Sequence, residues 1–138
     1  MKIFLDENTS PYLCKGLQEF QHSLNADLTD KVSIFSIKEQ FGMGAADEEW
    51  IPQVGKEKGM AITHDINITR TRHQRELCEQ HGVGLIIIRP ASKKHGLKFW
   101  EQVELLVKHW PSILKVATRK SGHYHYELQP RSGLKEVL

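Results

Sequence analysis

Short apolar runs alternate with longer segments of mixed apolar and polar residues along this chain. The runs predict buried β-strands, because they are rich in aliphatic side chains and end at polar or turn-forming residues. The longer segments repeat apolar residues every three to four positions, which is typical of amphipathic helices. The predicted strands are Lys2–Leu5, Val32–Ile37, Met60–Thr63 and Leu85–Ile88.

Proline, glycine and capping residues indicate where the predicted helices begin and end. The first helix begins near Pro11, with Thr9 or Ser10 as its N-cap. A glycine or a proline after an amphipathic segment predicts the end of a helix. The other predicted helices run from Asp47 to Gly59, over Thr71–Gln80 and over Leu97–Trp110, where Pro111 ends the last one.

The order of strands and helices predicts a three-layer α/β/α domain with a central parallel sheet. The 138 residues are enough for one domain with a single core. We assign residues 1–115 to this domain and residues 116–138 to a C-terminal strand or hairpin extension that is partly flexible. Because no apolar run approaches the roughly 20 residues of a membrane span, we expect a cytoplasmic protein without a membrane partner.

Acidic residues follow two of the predicted strands and open one predicted helix. Asp6 and Asp65 come just after strands, and Asp47 and Glu48 lie at the start of the middle helix. The carboxyl ends of parallel strands share one edge of a sheet, so these groups should meet there. Crowded carboxylates repel one another, and a hard divalent cation relieves that repulsion. The pattern therefore predicts metal-dependent attack on a phosphodiester.

Each acidic group also has an ordinary structural interpretation. The Asp6–Asn8 triplet fits a polar turn, and Asp65 fits a turn cap. Asp47 fits a helix N-cap, with Glu48 and Glu49 at the positive end of the helix dipole. The occurrence of all three groups at strand ends or a helix start favours the metal site.

One ordered set of motifs spans roughly residues 1–115: MKIFLDENTSPYL, FGMGAADEEWIPQVGKEKGMAITHDINITR and GVGLIII. Together these motifs resemble the PIN-like domain proteins found among the toxins of bacterial toxin–antitoxin pairs. The resemblance implies a PIN-like fold and a Mg²⁺- or Mn²⁺-dependent ribonuclease. It also implies a cognate antitoxin protein that covers the active site.

The resemblance assigns roles to particular positions. The metal ligands are Asp6, Asp47 and Asp65, and Glu48 joins them in the catalytic set. Side chains that would support this set are Asn8, Thr63 and Asn67. Many relatives have an acid where this chain has Asn67, which leaves one or two metals open.

Basic residues follow Asp65 closely, and the expected RNA phosphate contacts are Arg70, Arg72 and Arg75. A solvated helix face is the alternative for these arginines, and it is favoured for a second basic cluster of Lys93, Lys94, His95 and Lys98. His123 and His125 would share a strand face, but without a third ligand nearby they are a weak metal site.

Three functions remain open at this point. The first is an endoribonuclease toxin that acts through the carboxylates. The second is a non-catalytic PIN-like module that binds nucleic acid or protein. The third is a hydrolase of other phosphoesters, such as structured DNA, through the same site. The sequence does not fix the oligomeric state, and a homodimer stays open.

Overall fold

The computed structural model describes residues 1–65, 68, 71–90 and 96–137. Within these ranges the strands are β1 (Lys2–Leu5), β2 (Ser33–Ser36), β3 (Met60–Thr63), β4 (Gly84–Ile88), β5 (His125–Gln129) and β6 (Gly133–Glu136). The helices are α1 (Pro11–Leu24), α2 (Ile37–Phe41), α3 (Asp47–Lys56), α4 (Arg72–His81) and α5 (Phe99–Arg119), with a short 3₁₀ turn at Asn25–Asp27. The predictions made for Asn67, Arg70, Lys93, Lys94 and His95 lie outside the described residues.

The strands form one sheet in the order β2-β1-β3-β4-β5-β6. The first five are parallel, and β6 pairs antiparallel with β5. The chain leaves β1 toward β2 at one side and then crosses to β3 at the other side. Between β1 and β3 lies the topological switch point, the place where open α/β sheets open a crevice for ligands.

Helices cover both faces of the sheet and complete the predicted three-layer α/β/α arrangement. On one face, Leu17 of α1 and Leu106 of α5 pack with Leu5 of β1 in one apolar cluster. On the other face, Ile51 of α3 and Cys78 of α4 belong to a second cluster with Phe4, Ala61 and Ile87. Every residue of β3 and β4 is buried, which explains why these strands are continuous apolar runs.

The predicted end of the last helix at Pro111 is wrong, because α5 continues to Arg119. Ile113 and Ala117 are fully buried beyond the proline. The amphipathic face therefore continues through Pro111, and its burial outweighs the backbone hydrogen bond that a proline cannot donate. In the described residues, no helix combines the length and apolar character needed to cross a membrane.

The C-terminal hairpin is part of the main sheet. β5 pairs with β4, and β6 pairs antiparallel with β5. Residue 115, the last residue assigned to the domain from the sequence, lies inside α5. The division of the chain into a domain and a C-terminal extension stays a prediction. The strand predicted at Val32–Ile37 ends one residue earlier, because the Ser36 hydroxyl accepts the Glu39 N–H at 3.3 Å and caps α2.

Close packing of α3 on α4 depends on a glycine. A Cβ at Gly55 would collide with the carbonyl oxygen of His81 and lie 2.8 Å from the His81 Cβ. We predict that Gly55→Ala lowers the free energy of unfolding by about 1–3 kcal/mol, because the added methyl group forces the helices apart. Denaturant titration measures this change.

Gly16, inside α1, is the matched control. Apart from its chain neighbours and its own helix backbone, no atom of the described residues lies within 4 Å of a Cβ built there, so Gly16→Ala adds no clash. It should raise the free energy of unfolding by about 0.5–1 kcal/mol, because alanine restricts the unfolded chain. Equal effects of the two substitutions would contradict the assigned role of Gly55.

Candidate active site

A cavity of about 100 Å³ opens at the switch point between β1 and β3. Four described carboxylates line it: those of Asp6, Asp47 and Asp65, which come from distant parts of the chain, and that of Glu7, which follows Asp6. Asn8 and Thr63 line the same cavity. The structure thus brings together five side chains that the sequence assigns to the site.

Asp6 is the most constrained of these groups, with only 9% of its surface exposed. Its Oδ1 accepts the Thr9 hydroxyl at 3.0 Å and lies 3.2 Å from Nδ1 of the His64 ring. Its Oδ2 accepts the Thr63 hydroxyl at 2.9 Å and the His64 backbone N–H at 2.6 Å. An ionised carboxylate accepts about four hydrogen bonds, so the protein itself occupies the acceptor sites of Asp6.

These contacts set the ionisation of Asp6. Burial raises the pKa of the carboxyl, but the ring and backbone N–H of His64 and the Thr63 hydroxyl lower it by more. The pKa of Asp6 therefore lies below the ordinary aspartate value, and the group is ionised at neutral pH. The sequence predicts that a cation is needed to neutralise the carboxylate of Asp6. In the structure, hydrogen-bond donors of the protein already stabilise its negative charge.

Asp47 has a different role from the N-cap that is one interpretation of the sequence. The N-cap of α3 is Ala46, and Asp47 is the first residue of the helix. Its Oδ1 accepts the indole N–H of Trp50 at 2.9 Å, and its Oδ2 accepts the side-chain amide of Gln74. Because Gln74 belongs to α4, Asp47 ties the two helices together beside the cavity.

Thr63 connects the two strand-end acids. Its hydroxyl donates to Asp6 and also accepts the backbone N–H of Asp65 at 3.0 Å. Asp65 is exposed and lies in the turn that begins where β3 ends. One side chain therefore holds the turn that carries Asp65 against the buried carboxylate.

Glu48 does not line the cavity. It is exposed on α3, and its Oε1 lies 2.8 Å from Nε2 of His73 on α4. Its own backbone N–H and the His73 ring lower the pKa of Glu48. The structure places Glu48 in a surface pair between the helices, so its catalytic role stays a prediction.

The basic residues proposed for RNA lie on or before α4. Arg72 is highly exposed, with 85% of its side chain accessible, and its Nε lies 2.7 Å from Oε1 of Glu76 one turn along the helix. Arg75 lies on the same helix, and Arg70 is outside the described residues. The RNA contacts of these arginines stay predictions.

Four described residues that contact Asp6 or Asp47 were not assigned to the site from the sequence: Thr9, Trp50, His64 and Gln74. His64 contacts Asp6 through both its ring and its backbone, and Gln74 contacts Asp47. The position of His64 between Thr63 and Asp65 was the one available signal for it. Gln74 lies 27 residues from Asp47, and no local pattern predicts that contact.

The carboxylate oxygens around the cavity are the donor type that Mg²⁺ and Mn²⁺ prefer. The arrangement of these side chains in the structure falls short of a complete metal site. Among the residues that the structure describes, no three His, Cys, Asp or Glu side chains form a group that could hold a metal ion. The donors therefore fit a hard cation in kind, and binding requires them to exchange some of their protein partners.

Comparison with protein families decides the classification. The family model of the PIN-like domain matches residues 1–90, well over half of the 138-residue chain, and this range includes Asp6, Asp47 and Asp65. The chain belongs to the PIN-like domain family. PIN-like domains are generally nucleases, so membership indicates a nuclease-type module. Neither the curated proteins nor the solved structures give a match to this chain.

The lowered pKa of Asp6 leads to a pH prediction. A carboxyl whose pKa is depressed by folding adds stability above its unfolded pKa of about 3.9, and this stability is lost as the pH falls through the folded pKa. We predict that Asp6→Asn lowers the free energy of unfolding at pH 7 by about 1–3 kcal/mol, because the amide cannot accept from all four donors.

Urea titrations between pH 7 and pH 2 test this prediction. The loss of stability below about pH 4 should be shallower in Asp6→Asn than in the wild type. Asp30→Asn is the control, since Asp30 is exposed and precedes β2 at the opposite edge of the sheet. Parallel pH profiles for the wild type and Asp6→Asn would refute the assigned ionisation.

Proposed function

We propose that this PIN-like protein is a Mg²⁺- or Mn²⁺-dependent endoribonuclease that hydrolyses RNA phosphodiester bonds. The observation that supports the proposal is the convergence of Asp6, Asp47 and Asp65 on one cavity at the switch point of the sheet. Such a crevice is where α/β sheets bind their ligands. Asp6 and Asp65 would be direct ligands of the cation, and Asp47 would complete the site.

Hydrogen bonds within the protein hold the carboxylates in position in the absence of substrate. Asp6 is held ionised by Thr63 and His64, so it needs no deprotonation at neutral pH. Trp50 and Gln74 fix the carboxylate of Asp47, and Thr63 fixes the turn of Asp65. Preorganised oxygens of this kind bind a hard cation with little rearrangement of the backbone. When bound, the cation supplies an activated water and stabilises charge on the leaving oxygen.

His64 is one of the groups that limit access to Asp6. Its ring Nδ1 lies 3.2 Å from Oδ1, and its Nε2 is buried without a hydrogen-bond partner among the described residues. The other three donors are a backbone amide and two threonine hydroxyls on short side chains. The His64 ring and the Thr9 hydroxyl both contact Oδ1, so one of them would have to leave before this oxygen accepts another partner.

We further propose the role of a toxin in a toxin–antitoxin pair, with RNA as substrate and a cognate antitoxin that covers the cavity. This role rests on the sequence resemblance to toxin-type PIN-like proteins. An antitoxin bound over the cavity would block the access of RNA to the carboxylates.

A second candidate function is a non-catalytic PIN-like module for nucleic acid or protein. The observation that favours it is the full occupancy of Asp6 by protein donors, together with the lack of a ready three-ligand group in the described residues. A PIN-like fold alone does not require activity.

Cleavage assays separate the two functions. Purified protein should cleave RNA only with Mg²⁺ or Mn²⁺, and Asp65→Asn should reduce the rate by roughly 100-fold or more, because a direct ligand is removed. Asp30→Asn should cleave as the wild type does. Metal-independent cleavage, or equal rates for Asp65→Asn and the wild type, would refute the proposal.

A binding measurement accompanies the assay. Mn²⁺ should raise the melting temperature of the wild type, because a ligand that binds only the folded state stabilises it. The increase should be smaller in Asp65→Asn. RNA binding without cleavage and without a metal-induced increase would favour the non-catalytic module.

The toxin role has its own test in bacterial growth. Induced expression of the wild type should slow growth, and Asp65→Asn at an equal soluble level should relieve the effect, because RNA is then no longer cleaved. Equal inhibition by both forms would point to binding or aggregation and away from a nuclease toxin.

A further inference from the structure

A second cavity opens at the same edge of the sheet as the carboxylates. It measures about 430 Å³ and is lined by Arg89, Pro90, Gln129, Pro130 and Arg131, which we call the Arg cleft. Arg89 follows β4 directly, and Gln129, Pro130 and Arg131 form the end of β5 and its turn into β6. The Arg cleft is thus built from the carboxyl ends of β4 and β5.

The strand register fixes the position of the Arg cleft relative to the carboxylates. Thr63 pairs with Ile87 across β3 and β4, and Ile88 pairs with Leu128 across β4 and β5. The ladder continues one step further, since the Arg89 N–H donates to the Leu128 carbonyl at 3.0 Å. Neighbouring strands lie about 4.8 Å apart, so Arg89 is one strand away from the end of β3, where Asp65 follows.

The Arg cleft has the chemistry of a phosphate site. Nε of Arg89 lies 2.7 Å from Oε1 of Glu127, which is mostly buried, so the ion pair holds the guanidinium at the cleft. A guanidinium has five N–H donors, and one ion pair leaves donors for a second anion. Arg131 is exposed and forms no ion pair with any residue that the structure describes. Among the described residues, two arginines against one glutamate leave one net positive charge at the Arg cleft.

A structural role explains only part of this arrangement. The Arg89–Glu127 pair joins neighbouring strands and by itself accounts for Arg89. It does not account for Arg131, whose exposed side chain also lines the cleft. A concave site with an accessible guanidinium is suited to a planar, bidentate contact with phosphate.

We infer that the Arg cleft binds backbone phosphates of the RNA strand whose scissile bond lies at the carboxylate cavity. This inference rests on the proposed function and adds to it the path of the substrate, from the switch point across β3 to β4 and β5. The acidic cavity repels phosphate in the absence of a cation. The neighbouring Arg cleft supplies attraction that does not depend on the cation.

The test is the affinity of the full chain for an unstructured oligouridylate in EDTA, measured across a salt series. Arg131→Gln should weaken binding and reduce the slope of log K against log salt by about 0.7 for each phosphate that the protein no longer neutralises. Arg119→Gln is the matched control, because Arg119 is exposed at the end of α5, at the opposite edge of the sheet. It should leave both affinity and slope unchanged.

Arg89→Lys adds a second variant. Lysine keeps the charge and an ion pair with Glu127 but has no bidentate fork, so it should weaken binding with an unchanged melting temperature. Lines for Arg131→Gln that superimpose on those of the wild type would overturn the inference. Displacement of the oligonucleotide by uridine monophosphate at concentrations near the oligonucleotide Kd would also overturn it, because the cleft would then be a mononucleotide site.

The same proteins separate this inference from the proposed function. Metal-dependent cleavage with no effect of Arg131→Gln on binding would keep the nuclease and reject the Arg cleft. RNA binding that depends on Arg131, without any metal-dependent cleavage, would keep the Arg cleft as an RNA site and reject the nuclease.

Discussion

The candidate site depends on the buried, ionised carboxylate of Asp6. Its hydrogen bonds join the end of β1, the residue before the N-cap of α1 and the end of β3. The backbone reinforces the same junction, since the Thr9 N–H donates to the Asp6 carbonyl at 3.1 Å. A buried charge without partners would cost several kcal/mol, so the three segments must stay in place to satisfy it. The group that fits the chemistry of a cation ligand is therefore also the group that holds the crevice together.

The strands and the meeting of the acids were predictable from the sequence because both depend on local patterns and on a rule of topology. Apolar runs mark buried parallel strands, and their carboxyl ends share one edge. Asp6 and Asp65 could be placed at that edge from their positions after β1 and β3. The family resemblance agreed, and the family match covers the same acids.

The details that the sequence could not supply depend on side-chain direction and tertiary burial. Asp47 has the residue type of an N-cap, but its carboxylate faces Trp50 and Gln74 instead of its own helix end. Pro111 is a strong local stop signal, yet the burial of Ile113 and Ala117 continues α5 beyond it. In both cases a contact made by the folded chain overrides a local propensity.

Charge explains why the proposed nuclease function requires two different regions at one sheet edge. The four described carboxylates around a small cavity suit a cation but oppose the approach of a polyanion. The overall charge of the chain attracts a polyanion only weakly, because a formal net charge of +2 is small for 138 residues. The attraction of RNA must therefore come from the local positions of the positive side chains. The strand register places Arg89 one strand from the end of β3. The ion pair with Glu127 offsets the charge of Arg89, so among the described residues of the cleft Arg131 carries the unbalanced charge. The sheet thus separates the groups that suit catalysis, after β1 and β3, from those that suit binding, after β4 and β5, by one to three strand spacings, about 5–15 Å.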